Sequence, residues 1–314
     1  MCSAQTDLKP ILIAGATASG KSALAMAIAE RVGGAIINAD SMQVYRELRV
    51  LTARPTPADE ARVPHALYGF VPASEAYSAG RFVRDAGDAI AKAQGEGRRP
   101  IIVGGTGLYF KALLEGLSPI PEIRDEVREY WRGEATRRGA GSLHAELTER
   151  DPVVAARLQP ADTQRIVRAL EVLQSTGRSL AEWQTLKGQP VLNDAETVRF
   201  VVQVDRAELH ARADVRFAEM IRDGGIAEVQ ALSDMQLDGG LPAMRAIGVR
   251  PLLRAIRCEI SLDESISASQ AETRQYIKRQ ETWHKSHMIT WYAVKTKSME
   301  SSMREIFAFI QSKR

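Results

Sequence analysis

Short apolar runs alternate with amphipathic stretches over the first hundred residues. Ile11–Ala14, Ala35–Ala39, His65–Val71 and Ile101–Val103 read as buried strands. Between them, Ser22–Val32 and Ser78–Gln94 carry apolar residues at helical spacing. Strand–helix alternation of this kind predicts an α/β fold built on a parallel sheet with helices on both faces. Val198–Val204 and Met288–Val294 are later strand candidates that can return to the same sheet.

The pattern changes between Pro119 and Asn193, where no convincing strand occurs and Arg and Glu are frequent. Pro119 and Pro121 mark the entry, and Gly188 with Pro190 marks the exit. The expectation is an all-helical insertion over 119–195, within a core formed by 1–118 and 196–314. The clearest helix of the insertion runs from Asp162, an N-cap residue, to Gly177, which suits a left-handed C-terminal position. Ile166, Leu170 and Leu173 would form its buried stripe. From Arg206 the chain is mostly helical again, closing with an amphipathic stretch over Met299–Ile310.

Composition narrows the class. Among the 314 residues, 45% are hydrophobic and 26% charged, ordinary for a globular protein and unlike a membrane bundle or a disordered chain. Cys2 and Cys258 are the two cysteines, and no Cys-x-x-Cys pair suggests zinc. Met1 to Pro10 lacks an apolar run of signal-peptide length, so the expected setting is cytoplasmic, with no membrane partner. A net charge of +3 is compatible with a polyanionic partner without demanding one.

The most specific local pattern is Gly15-Ala16-Thr17-Ala18-Ser19-Gly20-Lys21-Ser22, which fits G-x-x-x-x-G-K-[ST]. It follows a predicted strand and opens a predicted helix, the context a phosphate-binding loop needs. Backbone N–H groups and the helix N-terminus would face a di- or triphosphate, Lys21 adds a full charge, and the Ser22 hydroxyl can ligate Mg²⁺. An ordinary phosphate-loop ATPase or GTPase also has an acid at the end of another strand. Ile101–Val103 ends instead in Gly104-Gly105-Thr106-Gly107, and the acid follows the second strand, as Asp40. Asp40 then faces the crevice where such sheets bind ligands, as a Mg²⁺ ligand or general base, unless it merely caps a helix. A phosphate-loop small-molecule kinase, a prenyltransferase of free adenine nucleotides and a non-catalytic nucleotide switch all share the loop. The missing strand-end acid and the absence of an Asn-Lys-x-Asp signature count against the switch.

With these motifs, the chain resembles the bacterial tRNA dimethylallyltransferase family over nearly its whole length. The resemblance rests on the phosphate loop, Asp40-Ser41-Met42-Gln43-Val44-Tyr45, Val63-Pro64-His65, Tyr77-Ser78 and Val103-Gly104-Gly105-Thr106-Gly107-Leu108-Tyr109. It continues through Gln164-Arg165-Ile166, Arg168-Ala169-Leu170-Glu171, Thr273-Arg274-Gln275-Tyr276, Lys278-Arg279-Gln280 and Thr282-Trp283. The chain departs from the family pattern at Ala16, Leu51, Arg54, Val249 and His284, the last in a stretch reading His284-Lys285-Ser286 where the family usually has Phe-Arg-Arg.

The resemblance implies that the loop, residues Gly15 to Ser22, holds the diphosphate of dimethylallyl diphosphate with help from Arg216 and Mg²⁺. It implies transfer of the dimethylallyl group to N6 of adenosine 37 in the tRNA anticodon loop. Asp40 is the expected base, with Thr17 and Thr106 as hydrogen-bonding partners of the reacting atoms. The target base would have to leave its stack, and water would have to be excluded from the allylic cation. Asp40, Ser41, Met42, Gln43, Thr106, Gly107, Gln164, Arg165, Ile166, Val167, Arg168, Arg245, Arg250, Arg274, Lys278, Arg279 and Gln280 are the implied tRNA contacts. Gln43, Gln164 and Gln280 are the candidates to read base edges. Arg274, Lys278 and Lys285 share one helical face, interrupted by Glu281. A monomer with no obligate protein partner is the default expectation.

Overall fold

The computed structural model describes residues 8–295 and 299–312, so Cys2 and the first seven residues lie outside it. By internal contacts the chain forms two compact units, one of 115–190 and one of the remainder.

The larger unit is built on six parallel strands. β1 (Ile11–Gly15) leads into α1 (Lys21–Val32), then β2 (Gly34–Asn38), α2 (Pro57–Arg62) and the two-residue β3 (His65–Ala66). Next come α3 (Ala79–Gly95), β4 (Arg99–Gly104) and α4 (Gly107–Glu115). The sheet order is β3-β2-β4-β1, followed by two strands from the C-terminal half, β5 (Val198–Gln203) and β6 (Tyr292–Lys295). Ile11 and Ile13 face one apolar cluster with Leu24 and Ile28, while Leu12 and Ala14 face another with Phe82 and Phe110. A strand apolar on both sides is what helices on both faces require. The crevice at the C-terminal strand ends, where neighbouring connections diverge, is the ligand position of such sheets.

Two predicted strands are shorter than expected. His65–Val71 pairs with β2 only at His65 and Ala66, because Leu67 (φ 65°) and Gly69 (φ 54°) turn the backbone left-handed. Val71 instead makes an isolated bridge to Tyr45. Met288–Val294 starts as a strand only at Tyr292, since Met288 still caps the preceding helix through its N–H on the His284 carbonyl.

The smaller unit is helical: α5 (Asp125–Arg150, broken at Gly139), α6 (Pro152–Ala155), α7 (Thr163–Thr176) and α8 (Leu180–Trp183). It spans Glu115–Pro190, against the 119–195 expected for the insertion. α7 begins on the Asp162 carboxylate, which accepts the Arg165 N–H, and ends at Gly177 in the left-handed region. Its core is Trp131, Leu143, Leu147, Ile166 and Leu170.

The larger unit continues with α9 (Arg206–Met220), α10 (Ile226–Asp234), α11 (Val249–Ile256), α12 (Leu262–His287) and α13 (Met299–Ser312). α12 carries a capping box at Ser261 and Glu264. Val249, one of the departures from the family pattern, is a buried core residue. Among the described residues no helix is long and apolar enough to cross a membrane.

Candidate active site

The loop between β1 and α1 has the shape an anion needs. Ala18 (φ 63°) and Gly20 (φ 86°) are left-handed among right-handed neighbours, which curls successive N–H groups inward. Among the described residues, the N–H groups of Ala18, Gly20, Lys21 and Ser22 have no protein acceptor. The Ser19 hydroxyl is buried without a partner. Ala16 packs with Leu209, Ala213 and Ile277, so its small side chain fits beneath α9 and α12.

Three charged groups face this loop without neutralising one another. Desolvation pushes Lys21 down to about 8, opposed by the Asp40 charge and reinforced by Arg216. Its Nζ also donates to the Ala16 carbonyl at 3.3 Å. Arg216, on α9, is likewise pushed down by desolvation, with Asp40 and Glu219 opposing the shift. No ion pair joins Asp40 to either cation. Desolvated charge with no partner is costly unless a ligand of opposite sign completes it.

Asp40 is held by its backbone. The buried Asn38 side chain accepts the Asp40 N–H at 2.8 Å and donates to the Asp40 and Leu67 carbonyls at 2.9 and 3.0 Å. One carboxylate oxygen, Oδ1, accepts the Met42 N–H at 2.9 Å within a turn, and since the next helix begins only at Pro57, Asp40 is not a helix cap. Oδ2 has no partner among the described residues and is available for a proton.

The connection after β4 closes against Asp40. The Ser41 N–H donates to Thr106 Oγ1 at 3.0 Å, and the Thr106 N–H to the Ala39 carbonyl at 3.2 Å. A Cβ on Gly104 would stand 2.1 Å from the Ala39 oxygen, so glycine is required for this approach. Three tyrosines that sequence reasoning did not single out as site residues feel the Asp40 charge. Tyr68, Tyr109 and Tyr276 all have phenols pushed up by burial and then by the Asp40 charge. The Tyr109 ring stacks on Phe82 at 3.8 Å. Tyr109 sits inside the Gly-Thr-Gly-Leu-Tyr motif and Tyr276 inside Thr-Arg-Gln-Tyr, which were the available clues; Tyr68 had none.

Four expected tRNA contacts are corrected by their surroundings. Gln280 is only 4% exposed: its Oε1 accepts the Thr17 N–H at 2.9 Å and its Nε2 donates to the Gly105 carbonyl at 3.0 Å. Gln43 spends its Nε2 on the Thr52 and Ala53 carbonyls at 2.8 and 3.2 Å. Gln280 therefore has no amide group free to read a base, and Gln43 has its amide donor committed to the loop. Ile166 and Val167 are core residues of the helical unit, because the apolar stripe of α7 includes them.

Other implied contacts remain at the surface. Gln164, Arg165, Arg245, Arg250, Lys278 and Arg279 are exposed. Arg165 pairs with Asp162 and Arg168 with the buried Glu171. Arg274 donates to both carboxylate oxygens of Asp214, and Glu281 pairs with Arg206. Gly107 lies against Trp283, whose indole nitrogen a Cβ there would meet at 2.0 Å. His284 is pushed down to about 4 by desolvation and then by the Lys21 charge.

A parallel sheet with a glycine-rich loop after its first strand, and Lys21, Arg216 and Asp40 gathered at that loop, place the chain in the α/β class. A family model described as IPP transferase matches residues 43–287, and one described as isopentenyl transferase matches 8–63. A tRNA dimethylallyltransferase of Parvibaculum lavamentivorans is 49% identical over 302 residues, covering 96% of each chain. One from Azorhizobium caulinodans is 52% identical over 286 residues, covering 90% of this chain and 92% of the relative. The crystal structure of a tRNA isopentenylpyrophosphate transferase from Bacillus halodurans aligns with a TM-score of 0.70 at 30% identity, covering 97% and 96% of the two chains. A eukaryotic dimethylallyltransferase captured acting on tRNA aligns with a TM-score of 0.81 at 26% identity, covering 97% of this chain and 80% of that one. The chain belongs to the tRNA dimethylallyltransferase family.

Proposed function

We propose that this protein transfers the dimethylallyl group of dimethylallyl diphosphate to N6 of adenosine 37 in tRNA, in the cytoplasm. The observation that carries the reading is the meeting of two desolvated cations and an unbonded Asp40 carboxylate oxygen at a loop whose Ala18, Gly20, Lys21 and Ser22 N–H groups have no protein acceptor.

The chemistry follows from those groups. The bond between the allylic carbon and the diphosphate oxygen breaks as negative charge builds on the leaving group. The Ala18, Gly20, Lys21 and Ser22 amides, the Lys21 ammonium and the Arg216 guanidinium stabilise that charge. The N6 lone pair is delocalised into the purine ring and is a weak nucleophile. Asp40 Oδ2 accepts its proton as the new carbon–nitrogen bond forms. Thr106 fixes the Ser41 backbone beside the base, accepting the Ser41 N–H at 3.0 Å.

Mg²⁺ is the proposed metal. Among the described residues no cluster of three or more acidic, His or Cys side chains could hold it. The exposed Ser22 hydroxyl, at the start of α1, is a suitable hard-oxygen ligand for a Mg²⁺ that arrives on the diphosphate. When bound, the metal supplies further neutralisation of the leaving group. The surface cations Arg165, Arg168, Arg245, Arg250, Lys278 and Arg279 are the proposed phosphate contacts of the RNA, working as a monomer. They would make tRNA affinity fall steeply with salt.

The kinase alternative is disfavoured by the relatives, which are named for dimethylallyl transfer to tRNA. The test is Asp40→Asn: prenyl transfer should collapse while pyrophosphate binding stays within about threefold, since a base, not a phosphate ligand, is lost. Retained turnover would remove Asp40 from the mechanism.

A further inference from the structure

The Thr17 amide raises a question of size. A phosphate loop presents its N–H groups along the phosphate chain, and the helix end takes only one part of it. Here the N–H groups nearest the helix, from Ala18 to Ser22, are unpartnered except for that of Ser19, which reaches the Ala16 carbonyl at 3.2 Å. The Thr17 N–H, towards the opposite end of the loop, is already filled by Gln280.

That filling is built rather than incidental. Gln280 comes from α12, 263 residues along the chain, and is buried to 4%. Both ends of its carboxamide are bonded, so the oxygen is directed at Thr17 and the nitrogen at Gly105. A Cβ on Gly105 would stand 2.2 Å from Nε2, so the residue opposite is stripped to glycine to admit the amide.

We propose that Gln280 is a specificity-determining residue that limits the cradle to a diphosphate by occupying the loop amide a third phosphoryl group would need. The inference rests on the reading of the loop as a diphosphate site. A triphosphate must either forgo the Thr17 donor or displace an amide that makes two hydrogen bonds, one of them buried. A diphosphate meets only free donors. The residue acts through Thr17 and Gly105 and does not touch the reacting carbon.

Titration calorimetry of the full chain with Mg²⁺ and either inorganic pyrophosphate or inorganic tripolyphosphate tests this, comparing wild type with Gln280→Ala. The preference for pyrophosphate over tripolyphosphate should drop by at least about tenfold in the variant, the scale of a hydrogen bond to a charged group. Pyrophosphate affinity should change by less than about threefold, as its donors are untouched. An unchanged preference overturns the proposal. So does an equal loss for both ligands, which would mark a merely structural role. If the alanine variant fails to fold, Gln280→Met keeps the volume and removes both hydrogen bonds; it should lower the preference by at least about threefold, and an unaltered ratio is contrary. If wild type binds neither ligand, the diphosphate reading itself fails; binding of both with an unchanged ratio defeats only the Gln280 assignment.

Discussion

The helical unit and the crevice of the sheet unit both carry many charges, but they treat them differently. In the helical unit acid and base satisfy each other: Arg138 with Glu134 and Glu146, Arg150 with Glu146, Arg165 with Asp162, Arg178 with Glu182. At the crevice Lys21, Arg216 and Asp40 are desolvated or hemmed in, yet no ion pair forms. Mutually satisfied charge is a property of a surface and contributes little stability. Charge held apart in a poorly solvated place is waiting for a substrate. The proposed chemistry sits where the molecule leaves electrostatics incomplete.

Substitutions at the incomplete end should have the largest effects. Asp40→Asn should reduce turnover by about 10²–10⁴-fold, measured as dimethylallyl incorporation into tRNA. Lys21→Ala or Arg216→Ala should each lower turnover by about 10²–10³-fold, because a preorganised donor to the leaving group is lost. Retention of activity in either would make the crevice resemble the helical surface and break the contrast.

The Lys21 shift has a definite sign in pH. Its free-state value near 8 means the ammonium is lost above that pH, so pyrophosphate affinity should fall as pH rises through about 8. The limiting slope is about tenfold per pH unit. Lys21→Arg, which keeps its charge, should lack that step when titrated by calorimetry beside wild type.

His284 predicts a smaller effect with the opposite pH direction. Its folded value near 4 lies below the ordinary imidazole value of 6.5. Between those pH values the unfolded chain binds the proton and the native one does not, so stability falls as pH drops from 6.5 to 4. His284→Phe should remove about 2 kcal/mol of that acid sensitivity, read from denaturant unfolding at the two pH values. The smallest stability effect belongs to the saturated region. Arg165→Ala should shift unfolding by under about 0.5 kcal/mol. If Arg165 meets an RNA phosphate, the same change should lower the salt slope of tRNA binding by about one.

The parts legible in sequence are those written locally. The loop Gly15–Ser22 carries its geometry in eight consecutive residues, and the α7 boundaries at Asp162 and Gly177 follow from caps. The apolar runs of β1 and β4 announce a strand buried on both faces. The misread parts depend on partners distant in sequence. Gln280 meets Thr17 across 263 residues, and nothing in Lys-Arg-Gln distinguishes an amide turned inward from one facing RNA. Gln43 is similar, since its acceptors lie in a loop whose fold is itself set by Glu228 accepting the Arg49, Val50 and Leu51 N–H groups. Ile166 and Val167 belong to a motif that looks like a contact string, but helical periodicity turns alternate members into core. The tyrosines that feel the Asp40 charge come from α4, α12 and the turn after β3, a meeting only the folded sheet creates.

The account stands most directly on one mass measurement. Unmodified tRNA is incubated with the protein, dimethylallyl diphosphate and Mg²⁺, then digested to nucleosides and to anticodon-loop fragments. A gain of one five-carbon unit on adenosine 37, absent with Asp40→Asn, is the predicted result. Unmodified tRNA with intact protein and donor, or equal modification by the Asp40 variant, would contradict it.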